Sequence, residues 1–500
     1  MRVSRPVFLL VALLTATAVQ SRPFTVVTYN VENLFDLDGV SGYEEYQKAK
    51  YTPAHARTKL QNIAKVVAKF DDGRGPDVLL LAEIEVDATP AKSPVDYEAI
   101  LARYSGTRLD RMLGTEFNPE VADLPAEALL LKALADAGIR GYRVVVGDNV
   151  TASESERKQE IKCVVLTRFP VKSTRSHPTL NARAILEVQV EIDGAPLYLF
   201  ANHWKSGAGD PATEPMRVAN ARTLRARLDE ILREDPSADI IIGGDLNSQY
   251  NQKQRYPEMK VTGINDVLGS QGNELAVRQP ERPFYNLWFE LPPEQRGSDT
   301  FRGEWGTLMH LIISRGLYDH NGVQYVDNSF TVAKFPGLNA DDQGLPVRWT
   351  SEGPAGAGFS DHFPIAARFV TVTDGRRDRY VALRNASDGR SSGKAVKTVD
   401  YAKMDLAKLA ISAAALPPGT DIRTPEYKGR IFRVEGRVTG SSRLAVEFLG
   451  STYDVWSYDE SLRNRLRSDH AEGATLRFYG ELGQYRERWQ FIIQDPSWVK

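Results

Sequence analysis

The 500-residue sequence holds one cysteine, Cys163. An internal disulfide is excluded, and so is a site built from several thiolates. There are only 7 histidines, and none joins a Cys/His cluster at zinc spacing. Net charge is equally scarce, with 63 basic residues against 65 acidic ones. No bulk field attracts a nucleic acid or an anionic membrane, so a polyanionic partner must be gripped locally. No apolar run approaches the ~20 residues that span a bilayer. What remains is ordinary globular composition, 42% hydrophobic and 26% charged. The length suits two large domains, or two plus a small one. Cys163 itself lies in the run Cys163-Val164-Val165-Leu166, which reads as a buried strand with an inert thiol.

Residues 1–18 read as an export signal. Arg2 and Arg5 form a positive start, Val7 to Leu14 an apolar core, and Ala16-Thr17-Ala18 a small-residue cleavage pattern. A secreted or periplasmic protein is the expectation.

Beyond it, β-rich runs at Phe24 to Tyr29 and Val78 to Leu81 bracket a helical pattern over 54–70. Residues 87–121 read as polar and irregular, and 124–137 as a helix ended by Gly138. Further strand-like runs occupy 142–147, 162–167, 183–192, 197–202, 238–242, 308–314 and 364–370, with an Arg-rich helix over 214–234. This alternation predicts an α/β layered fold with mixed sheets over 22–372. Residues 373–424 read as a linker, because 374–378 and 387–393 are charged, rich in Gly or Ser and without apolar period. From 425 to 500, five short strands with one helix near the middle predict a small all-β barrel of OB type.

The chemistry sits where apolar strands run out. Asn30 and Glu32 end the first strand, Glu83 follows Leu79 to Ala82, and His203 follows Leu197 to Asn202. Asp245 and Asn247 follow Ile240-Ile241-Ile242-Gly243-Gly244, and Asp361-His362 precede Phe363-Pro364-Ile365. Strand ends on one edge of a layered sheet are where such folds gather site residues. Glu83 and Asp361 are hard oxygen donors suited to Mg²⁺ or Mn²⁺ rather than zinc. With paired carboxylate, amide and imidazole groups, the set suits in-line hydrolysis of a phosphate ester.

Thr28-Tyr29-Asn30-Val31-Glu32-Asn33, Leu81-Ala82-Glu83, Asn202-His203-Trp204-Lys205-Ser206, Gly244-Asp245-Leu246-Asn247-Ser248 and Ser360-Asp361-His362-Phe363-Pro364 resemble the motif series of the endonuclease/exonuclease/phosphatase superfamily, in order and spacing. The resemblance spans roughly 22–372. It implies a four-layered α/β sandwich of two mixed sheets and a phosphoesterase dependent on Mg²⁺ or Mn²⁺. By position, Glu83 would be the main metal carboxylate, with Asn30 and Asp361 on the metal side. His203 would stabilise the phosphoryl group, Asp245 activate the attacking water, Asn247 hold a non-bridging oxygen and His362 act as base or transition-state donor. Asn33 reads as a loop amide. One position departs from the series: Met309, in Leu308-Met309-His310, stands where an aspartate normally orients the motif histidine. A neighbouring strand residue points to the other face, so His310 is not a stand-in. Asp299 or Glu304 could compensate, or the enzyme is slowed, or the chain is a non-catalytic relative.

Lys205 and Arg168 are candidate phosphate contacts, and Lys162 a surface charge. Arg217, Arg222 and Arg225 read as a solvated helical face. In the barrel, Tyr453, Trp456, Tyr458, Tyr479, Tyr485 and Trp489 with Arg463, Arg465, Arg467, Arg486 and Arg488 suggest a single-strand platform. The 12 basic and 11 acidic residues of 425–500 weaken that reading. The leading expectation is a nuclease acting on DNA or RNA. The alternative is a phosphoesterase for lipid head groups or small esters, which an apolar rim of Trp288, Phe289 and Leu291 would favour.

Overall fold

The computed structural model describes residues 23–87, 95–153, 156, 158–385, 393–440, 443–485 and 488–500. The expected export signal lies outside them. The chain forms two compact units, Met1–Thr300 with Trp305–Val396, and Phe301–Glu304 with Lys397–Lys500. Among the described residues, no helix is long and apolar enough to cross a membrane.

The first unit is built from two sheets. One runs in spatial order Asp319–Tyr325, Ile365–Tyr380, Pro23–Leu34, Val78–Glu85, Ile161–Thr167, Arg143–Val146, with Thr331–Val332 along Ile365–Tyr380. The other runs Val171–His177, Ile185–Ile192, Ala195–His203, Ile240–Asp245, Met309–Ser314, Phe284–Asn286. Their central strands are apolar over most of their length because both faces are covered. Val26, Val78, Leu80 and Val165 meet Val188, Leu199, Ile241 and Leu311 between the sheets. The alternate residues Val27, Tyr29, Leu79 and Leu81 pack outward against helices Pro53–Val67 and Ala126–Asp136. On the far side, Phe200, Ile240 and Ile242 pack against Leu224, Leu228 and Ile231 of helix Glu214–Glu234. The layers are therefore helix, sheet, sheet, helix, with mixed strand directions in both sheets.

Several readings change. Residues 97–122 are not irregular but carry three short helices, Tyr97–Arg103, Leu109–Met112 and Pro119–Ala122, the first and last capped by Asp96 and Asn118. Such short helices lack the repeat that makes a period visible. Arg217 is not solvated. It is fully buried, pairs with Glu214 at 2.7 Å and reaches the carbonyls of Lys205 and Ser206. Trp288 and Phe289 are buried in the core, so they form no apolar rim. Lys162 pairs with buried Glu127 at 3.2 Å. The segment expected as a linker is largely built structure. Strand Ile365–Tyr380 runs into it, and from Lys397 it belongs to the second unit, where Tyr401, Met404, Leu406, Ile411 and buried Ile422 pack on the barrel core.

In the second unit, Ile431–Gly440, Ala445–Phe448, Ser451–Ser457, Thr475–Tyr485 and Arg488–Ile493 close into a barrel. The first strand pairs the fourth, and the third pairs the fifth in parallel. Helix Glu460–Asp469, capped by Asp459, lies between the third and fourth. This is an OB-like order. Phe491 anchors the core, ringed by Phe432, Phe448, Tyr453 and Phe478. Tyr453 is thus a core residue rather than a stacking surface. Arg486 lies outside the described residues.

Candidate active site

Asn30, Glu83, His203, Asp245 and His362 meet at one end of the two-sheet sandwich. Strand pairing brings them there. Asn30 lies beside Ala82 in the first sheet, His203 beside Asp245 in the second, and His362 enters just before Ile365 pairs Thr28. The sheets need an unusual backbone to turn these side chains inward. Glu83 has φ +67° in mid-strand, where the register with both neighbouring strands breaks. Glu32, Asn33 and Asn247 are also left-handed. Such conformations cost ~1–3 kcal/mol each and gather at functional sites. Gly244 has φ +122°, and a Cβ there would lie 2.1 Å from the Asn202 carbonyl oxygen, so only glycine allows the strands beside His203 and Asp245 to approach.

Asn30 is the hub. Its Nδ2 donates to Glu83 Oε1 at 2.9 Å and to Asp245 Oδ2 at 3.1 Å. Its Oδ1 accepts from the Glu32 N–H, and its carbonyl accepts from Ser360 Oγ at 2.7 Å, tying the first motif to the last. Glu83 Oε2 accepts from the Asn33 N–H at 3.0 Å, so Asn33 contributes its backbone. Asp245 Oδ1 accepts from the Asn247 N–H at 2.8 Å. Its Oδ2 lies 3.8 Å from His203 Nε2 and 3.7 Å from His362 Nε2. Glu83, His203 and Asp245 place ligand atoms within 4.8 Å of one another. Asp361 stands at the rim, its Oδ1 3.7 Å from His362 Nε2. Asn247 Nδ2 donates to the Trp204 carbonyl, which leaves one amide N–H over.

Burial and crowding set the charges. Desolvation, reinforced by the charge of Asp361, lifts Glu83 to about 7. Desolvation, with the nearby charges of Arg183 and His362, holds His203 well below the ordinary histidine range. Against its own desolvation, the carboxylates of Asp361, Asp245, Asp299 and Glu83 raise His362 to about 9. The Nδ1 atoms of both imidazoles are buried without a partner.

Of the two expected phosphate contacts, Arg168 does not join the site. Arg168 caps the opposite end of the first sheet. It donates to the Gly75 and Pro76 carbonyls, stacks on Tyr142 and sits 3.7 Å from Asp77, just before the strand Val78–Glu85 that carries Glu83. Lys205, two residues past His203, holds its Nζ 3.5 Å from Ser206 Oγ. Met309 is fully buried in the core between the sheets.

Three cationic residues were not singled out by the sequence. Arg183 is 9% exposed, donates to the Trp204 carbonyl and leaves a buried Nε unpartnered. Burial depresses it, and the neighbouring charges of Glu83 and Asp245 support it. Arg348 is an exposed rim residue, 3.0 Å from Glu32 Oε1 and 3.5 Å from Asp361 Oδ2. Lys59 is fully buried and donates to the carbonyls of Glu32 and Phe359, which lie in the loops bearing Asn30 and Asp361. Their only signal is a charge inside an apolar segment, as with Lys59 beside Leu60 and Arg183 before Ile185.

No curated protein matches the chain. Solved structures align at low identity. Truncated Caenorhabditis elegans TDP2 shares 18% identity, over 69% of this chain and 97% of that one, with TM-score 0.36. A Bacteroides thetaiotaomicron family protein shares 12%, over 70% and 98%, with TM-score 0.37. The human Nocturnin catalytic domain shares 14%, over 70% and 94%, with TM-score 0.37. The Endonuclease/Exonuclease/phosphatase family matches over residues 27–263 and again over 160–371, stretches that between them contain every residue of the site. Through these residues the chain belongs to the endonuclease/exonuclease/phosphatase family of phosphoric ester hydrolases.

Proposed function

We propose that the protein is an exported, divalent-metal-dependent phosphodiesterase that hydrolyses DNA or RNA. The observation that carries this is the convergence of Asn30, Glu83, His203, Asp245 and His362 on one strand-end cluster. The donor set fits Mg²⁺ or Mn²⁺. Glu83, Asp245 and Asp361 offer hard carboxylate oxygens, and the burial of Glu83 beside Asp245 makes their negative charge costly without a cation. Glu83, Asn30 and Asp361 would hold the ion. A bound divalent cation polarises the phosphoryl oxygens and neutralises charge as it develops.

The chain's own groups supply the rest. Asp245 Oδ2, fixed by Asn30, lies close enough to both imidazoles to orient the attacking water and take its proton. His203, kept neutral by burial, donates to a phosphoryl oxygen. His362 faces the same space and stabilises the negative phosphorane. The spare Asn247 N–H and the Arg183 guanidinium add donors for non-bridging oxygens.

The second unit supports a nucleic-acid substrate. Trp456 and Tyr458 stand exposed, with Arg463 4.5 Å over one ring and Arg302 3.9 Å over the other. Bases stack on such platforms. Near-neutral net charge favours a small phosphate ester instead. Export rests on the signal pattern of residues 1–18.

The test is cleavage of supercoiled plasmid, single-stranded DNA and RNA, with and without Mg²⁺ or Mn²⁺, beside His203→Ala and Asp245→Ala. Metal-dependent cutting that falls at least ~10²-fold in both variants is expected. Undiminished cutting by either variant refutes the assignment. Silence on all three nucleic acids transfers it to lipid and small-ester substrates.

A further inference from the structure

We propose that Asp299 is the positioning carboxylate for His362, in place of the aspartate missing at Met309. This rests on the reading of the site as a phosphodiester-hydrolysing centre.

Met309 cannot orient an imidazole, because its side chain is sealed in the apolar core between the sheets. His310 is equally removed. Its Nε2 donates to the Ser248 carbonyl at 2.8 Å, and its Nδ1 faces Asn286 Nδ2. Asp299 has the placement that both lack. It is paired with His362 across an antiparallel bridge. The flanking hydrogen bond runs between their neighbours, from the Phe363 N–H to the Ser298 carbonyl at 2.6 Å. In such a pair the two side chains share a face and approach most closely. Both residues are buried, Asp299 at 5% and His362 at 8% exposure.

Each presents a spare group. Asp299 Oδ1 accepts from Ser298 Oγ at 3.0 Å and from the Leu308 N–H at 3.1 Å, which fixes the carboxylate and leaves Oδ2 over. Gly306 lies beneath it. A Cβ there would stand 1.9 Å from Oδ2, so the carboxylate fills space that only glycine leaves. His362 directs Nε2 to Asp245 and Asp361 and has Nδ1 buried and unpartnered. For the bond to form, the two side chains turn toward each other across the bridge until Oδ2 accepts from the Nδ1–H. The bond fixes the ring with Nε2 toward the reacting phosphoryl group, the arrangement by which a carboxylate orients a site histidine.

Asp299→Leu removes the acceptor at similar volume. It is expected to lower kcat about 10–100-fold with KM changed less than about 3-fold, and Asp299→Asn, which keeps an acceptor, to recover part of the loss. On a His362→Ala background, Asp299→Leu is expected to add less than about 2-fold. Full kcat in Asp299→Leu, or losses that multiply with His362→Ala, overturn the proposal. A second readout needs no turnover. Nitrogen-15 NMR resolves the 7 histidines, with His362 assigned by its disappearance in His362→Ala. The His362 Nδ1–H proton is expected at low field, as in a ring bonded to a carboxylate, and to move upfield in Asp299→Leu. An unmoved His362 signal overturns the proposal. A moved signal in a protein that cuts no phosphodiester upholds it and refutes only the functional assignment.

Discussion

His310 and Met309 are adjacent on one strand and face opposite sides of it, one to a polar pocket and one to the core between the sheets. The His310 ring is satisfied only when neutral: Nε2–H donates to Ser248, and Nδ1 accepts from Asn286. Burial holds it near 4, below the ordinary 6.5. The unfolded chain therefore binds this proton first as pH falls. Stability contributed by the neutral ring is present above 6.5 and lost as pH drops toward 4, by up to about 3 kcal/mol. Urea midpoints of wild type and His310→Gln are expected to converge over that window, with the wild type showing the steeper fall. A residue at the rim behaves differently. Arg348 is exposed beside Glu32 and Asp361, and its truncation costs binding rather than fold. Arg348→Ala is expected to raise KM about 5–20-fold with kcat within about 2-fold, read from steady-state cleavage.

At the scale of elements, helix Pro53–Val67 does more than cover the first sheet. His55 contacts the carbonyls of Ser351 and Gly353, Lys59 those of Glu32 and Phe359, and Asn62 that of Gly358. These positions, four and three apart, lie on one helix face. They latch the segment that carries Arg348, Trp349 and, just beyond, Asp361 and His362. Lys59→Met leaves two part-buried carbonyls without their donor and is expected to cost about 1–3 kcal/mol in urea unfolding. Activity is expected to fall further than the stability change explains, because both site-bearing loops lose the shared tie. The helix was legible from Leu60, Ile63, Ala64 and Val67. Its latch was not, since all its partner carbonyls but that of Glu32 lie about 300 residues away.

At the scale of the molecule, each unit owns a separate apolar core, one around the two sheets and one around Phe491. Domains of that kind unfold as independent cooperative blocks. Differential scanning calorimetry of the full chain is expected to show two transitions, and Phe491→Ala to lower one alone. The barrel's topology followed from five short alternating strands and a capped helix, because its inward residues recur at every second position. Residues 397–424 escaped, because Tyr401, Met404, Leu406 and Ile422 pack on that barrel without any period.

By itself the sequence determined the layered fold and the core of the site. Strands buried on both faces are mostly apolar, so a carboxylate, amide or imidazole near their ends stands out, and five such places in order carry one chemistry. Tertiary structure alone decided which charges belong to it. Arg168 and Glu83 are both near ends of the first sheet, and only strand direction shows that those ends are opposite. Arg183 and Lys59 reach the site through contacts between residues far apart in the chain, and local sequence carries no period that encodes such a contact, while Asp299 and Glu304 were equal candidates until the bridge to His362 set Asp299 beside it.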